Sequence, residues 1–125
     1  MKKYIVLSLI LTFLSLGLYS QNKVIVGAER LEEYLSLVKN KKVGILTNQT
    51  SVVRNENGDF IHLLDTLLSL DVDVIKIFSP EHGFRGSADE GALINNSIDE
   101  KTQLPIISLY GNNKKPNKEQ LNDID

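Results

Sequence analysis

Val72-Asp73-Val74-Ile75-Lys76-Ile77-Phe78, running directly into Ser79-Pro80-Glu81-His82-Gly83-Phe84-Arg85-Gly86, is the stretch whose reading decides the fold. Its first half is a short β-branched and aromatic run bounded by polar residues, which predicts a strand from Val72 to Phe78. Its second half is rich in the residues that force turns, so the strand must end at a structured loop. Upstream, Ile61, Leu64, Leu67 and Leu68 share one helical face, which predicts a helix over Ile61 to Leu70. Before it, polar Arg54 to Asp59 reads as a turn cluster, and Val43-Gly44-Ile45-Leu46 within Lys42 to Thr47 reads as a strand buried on both faces. The two strands lie about 30 residues apart, the length of a crossover containing one helix, so they should pair in parallel with right-handed connectivity.

The flanks extend this pattern. Leu31, Tyr34, Leu35 and Val38 follow the helical spacing and predict a helix over Glu29 to Val38. Leu104 to Leu109 supplies a third strand, entered through Pro105, a residue tolerated at a strand's start. Lys114-Lys115-Pro116 forms a loop, after which Asn117 and Gln120 have the spacing of a capping box and predict a further helix. The expected class is α/β, a parallel sheet with flanking helices.

Composition narrows the function. The chain has 125 residues, is 42% hydrophobic and carries a formal net charge of −2, so no basic stripe offers itself to phosphates and no nucleic-acid partner is expected. With no cysteine, an exported domain must rest on its packed core. Export is expected because Met1-Lys2-Lys3 precedes an apolar run from Tyr4 to Tyr19 that is too short to span a bilayer. Residues 1–20 therefore read as a signal peptide and 21–125 as the mature part, periplasmic or extracellular, with no stable membrane span after cleavage.

Each expected strand discharges into a polar loop: Thr47-Asn48-Gln49-Thr50, Ser79 to Gly86, and Tyr110-Gly111-Asn112. In open parallel sheets ligands bind beyond the carboxyl ends of the strands, so these loops should converge on one crevice. The middle loop holds the richest chemistry. Pro80 and Gly83 bracket Glu81 and His82 on a stiff turn, where partial burial would raise the carboxyl pKa and let Glu81 donate a proton to a leaving oxygen. Arg85 offers a fork of donors to a carboxylate or carbonyl. The plainer reading is a surface carboxylate paired with Arg85. His62 is the other imidazole and sits on a different element, so no metal site is expected; without G-x-G-x-x-G or Walker spacing, no nucleotide cofactor is expected either. An esterase reading lacks both a cysteine and a Gly-x-Ser-x-Gly elbow.

Gly27-Ala28-Glu29-Arg30-Leu31, Val43 to Thr50, Phe78 to Gly86, Asp99 with Thr102, and Ser108-Leu109-Tyr110-Gly111 occur together in an order that resembles the exo-β-N-acetylmuramidases of the DUF1343 group. The resemblance covers nearly all of the mature part. It implies a Rossmann-like amino-terminal domain, a smaller carboxy-terminal domain with the cleft between them, and release of N-acetylmuramic acid from the non-reducing end of peptidoglycan fragments. By matching motif positions it implies Glu81 as the catalytic carboxylate with His82 beside it, and Asn48, Arg85 and Tyr110 as substrate contacts. One departure is Gln103, where family members commonly carry glycine. Another is length, which makes the chain read as a Rossmann-like domain truncated before the remaining strands and the second domain. Glycoside hydrolysis usually employs two carboxyl groups; Asp89, Glu90, Asp99 or a residue beyond Asp125 could be the second. The competing reading is a non-catalytic module that binds or scaffolds cell-wall sugars through the same loops.

Overall fold

The computed structural model describes residues 24–80, 84–86 and 96–125. The expected signal peptide lies outside them, and among the described residues no helix is long and apolar enough to cross a membrane. A 3-10 turn at Gly27–Glu29 leads into α1 (Leu31–Val38). Then follow strands β1 (Val43–Leu46), β2 (Val52–Arg54) and β3 (Phe60–His62), helix α2 (Leu63–Ser69), and strand β4 (Val74–Ser79). Strands β5 (Ser97–Ile98) and β6 (Pro105–Ser108) and helix α3 (Lys118–Leu121) complete the order.

The sheet order is β1-β4-β6-β5. β1 and β6 both run parallel to β4, with Leu46 opposite Phe78 and Phe78 opposite Ile107, whereas the two-residue β5 pairs antiparallel with β6. The α/β class with parallel strands and flanking helices is thus observed, modified by one antiparallel edge strand. Leu64, Leu67, Val74, Ile77, Phe84 and Ile106 form the core, and Leu31, Tyr34, Leu35 and Val38, the face expected of α1, pack against it. Leu64 and Ile77 are fully buried, each contributing about 2 to 3 kcal/mol of transfer free energy.

Two expectations need correction. β1 is not buried on both faces: it lies at the edge of the sheet as described, only Ile45 is buried, and Leu46 is 66% exposed. The strand buried on both sides is the central β4, which even holds Lys76, its Nζ donating to the Gln120 carbonyl at 2.9 Å and pairing with Asp123. Second, Ile61 belongs to a strand and not to the helix. β2 and β3 form an antiparallel hairpin, with Val52 opposite His62. Its loop turns through Gly58 N–H donating to the Asn55 carbonyl at 3.0 Å, with Gly58 at φ 88°, and Asp59 N–H donating to Asn55 Oδ1 at 2.8 Å. Asn57-Gly58 between apolar runs is a strong hairpin signal, and the helical spacing of Ile61 obscured it.

At α3 the expected capping box is present: Asn117 Oδ1 accepts from Gln120 N–H, and Gln120 Oε1 from Asn117 N–H, each at 2.9 Å. Beyond it the backbone returns to β1, where Asp125 N–H donates to the Lys42 carbonyl at 3.0 Å and Lys42 N–H to Asp125 Oδ2 at 2.8 Å. This return seats Ile124 over Gly44, where a Cβ would lie 2.5 Å from Ile124 Cδ1 and 3.0 Å from Phe78 Cε2. Gly44→Ala is therefore expected to cost about 1 to 3 kcal/mol through displacement of Ile124. Chemical denaturation checks this, and Gly44→Ala combined with Ile124→Val should recover part of the loss.

Gln103 is one of three non-glycine residues with positive φ among the described residues, at 60°. Its N–H closes a turn on the Asp99 carbonyl at 2.8 Å, so the left-handed geometry is required there. Glycine adopts it without the side-chain crowding that glutamine meets. Gln103→Gly is expected to stabilise the chain by about 1 kcal/mol, read as a rise in the denaturation midpoint.

Candidate active site

The parallel register brings the ends of the three strands to one edge. Thr47 N–H donates to the Phe78 carbonyl at 3.0 Å, and Leu109 N–H donates to the Ser79 carbonyl at 2.8 Å. The ends of β1, β4 and β6 consequently lie side by side, the first and last leading into the turns that carry Asn48 and Tyr110. Thr47, 2% exposed, follows β1 directly and has a buried Oγ1 with no hydrogen-bond partner among the described residues.

The Thr47–Thr50 turn is closed on itself. Asn48 Oδ1 accepts from Thr50 N–H at 3.1 Å and from Thr50 Oγ1–H at 2.8 Å, while its carbonyl accepts from Ser51 N–H at 3.1 Å. That carbonyl also lies 2.9 Å from His62 Nε2. The second turn leans on the first. Gly86, at φ 72°, passes so near Gln49 that a Cβ there would meet Gln49 Cβ and Cγ at 3.2 Å. Phe84 is buried in the core with its ring edge-on to His62 at 4.7 Å.

Arg85 is held by protein carboxylates. Its Nε and Nη2 donate to Asp99 at 2.7 and 2.9 Å, and Nη2 and Nη1 donate to Asp65 on α2 at 3.2 and 3.4 Å. Thr102 adds its N–H and its hydroxyl to the same Asp99 carboxylate, at 3.1 and 2.7 Å. The Arg85 hydrogen bonds, against the opposing effect of burial, bring the Asp99 carboxyl down to about 2. Burial pushes Asp65 up, but hydrogen bonds from Arg85 and Lys101 outweigh it and leave that carboxyl below its ordinary value. Arg85 thus fastens the second turn to α2 and to the segment before β6. Asp99, one candidate for a second catalytic carboxylate, is the other half of that fastening.

Tyr110 is half-buried, its N–H donating to Ser108 Oγ at 3.3 Å; Asn113 Nδ2 donates to the Ser108 carbonyl at 2.8 Å and closes the third turn. Glu81 and His82, and also Asp89 and Glu90, lie outside the described residues. The structure therefore gathers Asn48, Arg85 and the Tyr110 backbone at one edge, with Pro80 and Phe84 bracketing the two proposed catalytic groups. It also brings in His62, Asp65 and Thr102, which local patterns alone did not assign to the site. For His62 the signal was available: recognising the Asn57-Gly58 hairpin leaves it as the residue immediately before α2. An open groove of about 510 Å³ borders Thr50 and Ser51 on the hairpin side, lined by Val26, Val52, Phe60 and others; among the described residues it takes none from the turns after β4 and β6.

Residues 43–125 match the family model described as exo-β-N-acetylmuramidase NamZ, N-terminal. The chain is 38% identical over 96 residues to the peptidoglycan β-N-acetylmuramidase NamZ of Bacillus subtilis, an alignment covering 76% of this chain and 22% of that protein. Two crystal structures of DUF1343 family proteins from Bacteroides fragilis superpose with TM-scores of 0.62 each, at 40% and 35% identity, over 81% and 78% of this chain and 23% of theirs. The chain thus spans less than a quarter of the length of these relatives. A family match over most of the chain, the shared α/β architecture and the gathering of the motif-bearing turns at one sheet edge agree: the chain belongs to the NamZ exo-β-N-acetylmuramidase family and corresponds to its amino-terminal part.

Proposed function

We propose that the full-length protein containing this chain is a glycoside hydrolase that releases N-acetylmuramic acid from the non-reducing end of peptidoglycan fragments. The observation that carries this reading is the meeting of three motif-bearing strand ends at one edge, with Gln49 against Gly86 and Arg85 tied to Asp99. Such an edge is where open parallel sheets bind their ligands. In the proposed mechanism Glu81 protonates the glycosidic oxygen as the bond to the anomeric carbon breaks and a water molecule supplies the new anomeric hydroxyl, with His82 beside it, and the Asn48 turn and Tyr110 hold the sugar. Arg85 serves that substrate site by keeping the turn in place. Export through residues 1–20 would put the enzyme on the same side of the membrane as its polymer. The test is to incubate purified full-length protein with muropeptides and follow free N-acetylmuramic acid. Saturable binding without sugar release would replace this reading with that of a cell-wall-sugar-binding module.

A further inference from the structure

His62 occupies a junction that neither its neighbours in sequence nor the family match singles out. It is the last residue of β3 and the N-cap of α2, and its Nδ1 accepts from Leu64 N–H at 3.2 Å. A ring nitrogen that accepts a hydrogen bond carries no proton, so in the neutral ring the proton sits on Nε2. Nε2–H therefore donates to the Asn48 carbonyl 2.9 Å away, which fixes both the tautomer and the ring plane. Phe84, from the second turn, packs edge-on against that plane at 4.7 Å. One imidazole thus joins the helix start, the first turn and the second.

We propose that His62 is a positioning residue of the sugar site. Its Nε2–H braces the Asn48 turn from behind, while its ring supports Phe84 and through it the segment that carries Arg85. This inference rests on the proposed function for what the Asn48 turn holds, but the bracing itself can be measured without any substrate. The two ring nitrogens do separate work, which makes the role separable from mere stability. His62→Asn keeps a strong N-cap acceptor for Leu64 N–H and removes the reach to Asn48. His62→Gln keeps a donor of nearly the right length toward the Asn48 carbonyl and gives up a good cap.

The experiment compares both variants with the native full-length protein by thermal unfolding, amide hydrogen exchange and muropeptide kinetics. His62→Asn should unfold at a higher temperature than His62→Gln, because its cap survives while both variants lose the ring's packing against Phe84. Exchange at the Thr50 and Ser51 amides should nevertheless quicken about tenfold or more, since the turn they close has lost its brace. KM for muropeptides should rise about tenfold while kcat changes little, the signature of weakened ground-state binding. His62→Gln should unfold at a lower temperature yet keep slow exchange at Thr50 and Ser51. Unchanged exchange in His62→Asn, or equal loosening of the turn in both variants, overturns the proposal. If the native protein releases no sugar, the hydrolase reading fails by itself, and the exchange comparison still decides the role of His62.

Discussion

Asp99→Ala is expected to destabilise the chain by about 2 to 3 kcal/mol, less than for a fully buried ion pair because Arg85 is 30% exposed and keeps Asp65. The Asp99 side chain is 5% exposed, and its carboxylate takes four donors, two from Arg85 and two from Thr102. Alanine would leave the Arg85 guanidinium short of its shorter-bonded carboxylate and the Thr102 N–H without its acceptor, so both terms act in one direction. Asp99→Asn, which can still accept from Thr102, should lose less. The same carboxylate gives a pH signature with a definite sign. Its folded value, about 2, lies below the ordinary carboxylate value of 3.8, so its contribution is complete above about pH 5 and is lost as pH falls through 4 toward 2. Asp65, also lowered, adds in the same sense. Denaturation of the native chain at pH 6 and pH 2.5 should differ by on the order of 2 kcal/mol from Asp99 alone, and Asp99→Ala should lack that component. A variant with the native acid slope would mean that Asp99 does not carry it.

Glu81→Gln in the full-length protein is expected to lower kcat for muropeptide hydrolysis by about 10² to 10⁴, with KM nearly unchanged. Glutamine preserves shape and hydrogen-bonding capacity but has no proton to transfer to the departing oxygen. The chemistry supplies an internal control: an aryl glycoside whose leaving group departs without protonation should suffer much less than the natural glycoside. Equal losses on both substrates would assign Glu81 to nucleophilic attack or to binding, and retained turnover on muropeptides would remove it from the mechanism. His82→Ala distinguishes its neighbour's part in the same assay.

The local order of the chain was legible in the sequence wherever one element's own residues decide its form. The apolar spacing of Leu31 to Val38, the β-branched run of β4 and the Asn117–Gln120 capping box depend on contacts within a few residues, so the string of letters contains them. The parallel pairing was legible too, because a connection of that length with one helix leaves few alternatives. Burial was not. Whether β1 or β4 lies inside depends on how many neighbours each strand acquires, and two apolar runs of similar composition do not state that. The hairpin was lost for a related reason: Ile61 fits a helical face as well as a strand, and pairing with Val53 across the sheet chose the strand.

By itself, then, the sequence determined an α/β chain whose polar turns follow its strands and whose motif places it in a muramidase family. Only the tertiary structure decided that Arg85 is tied to Asp65 and Asp99, that His62 braces Asn48, and that Gly86 must be small because Gln49 lies against it. These partners are 14 to 37 positions apart in the chain. Contacts at such separations arise from strand order and register, which no local spacing encodes, whereas helix faces, caps and turns arise from neighbours that the chain already holds together.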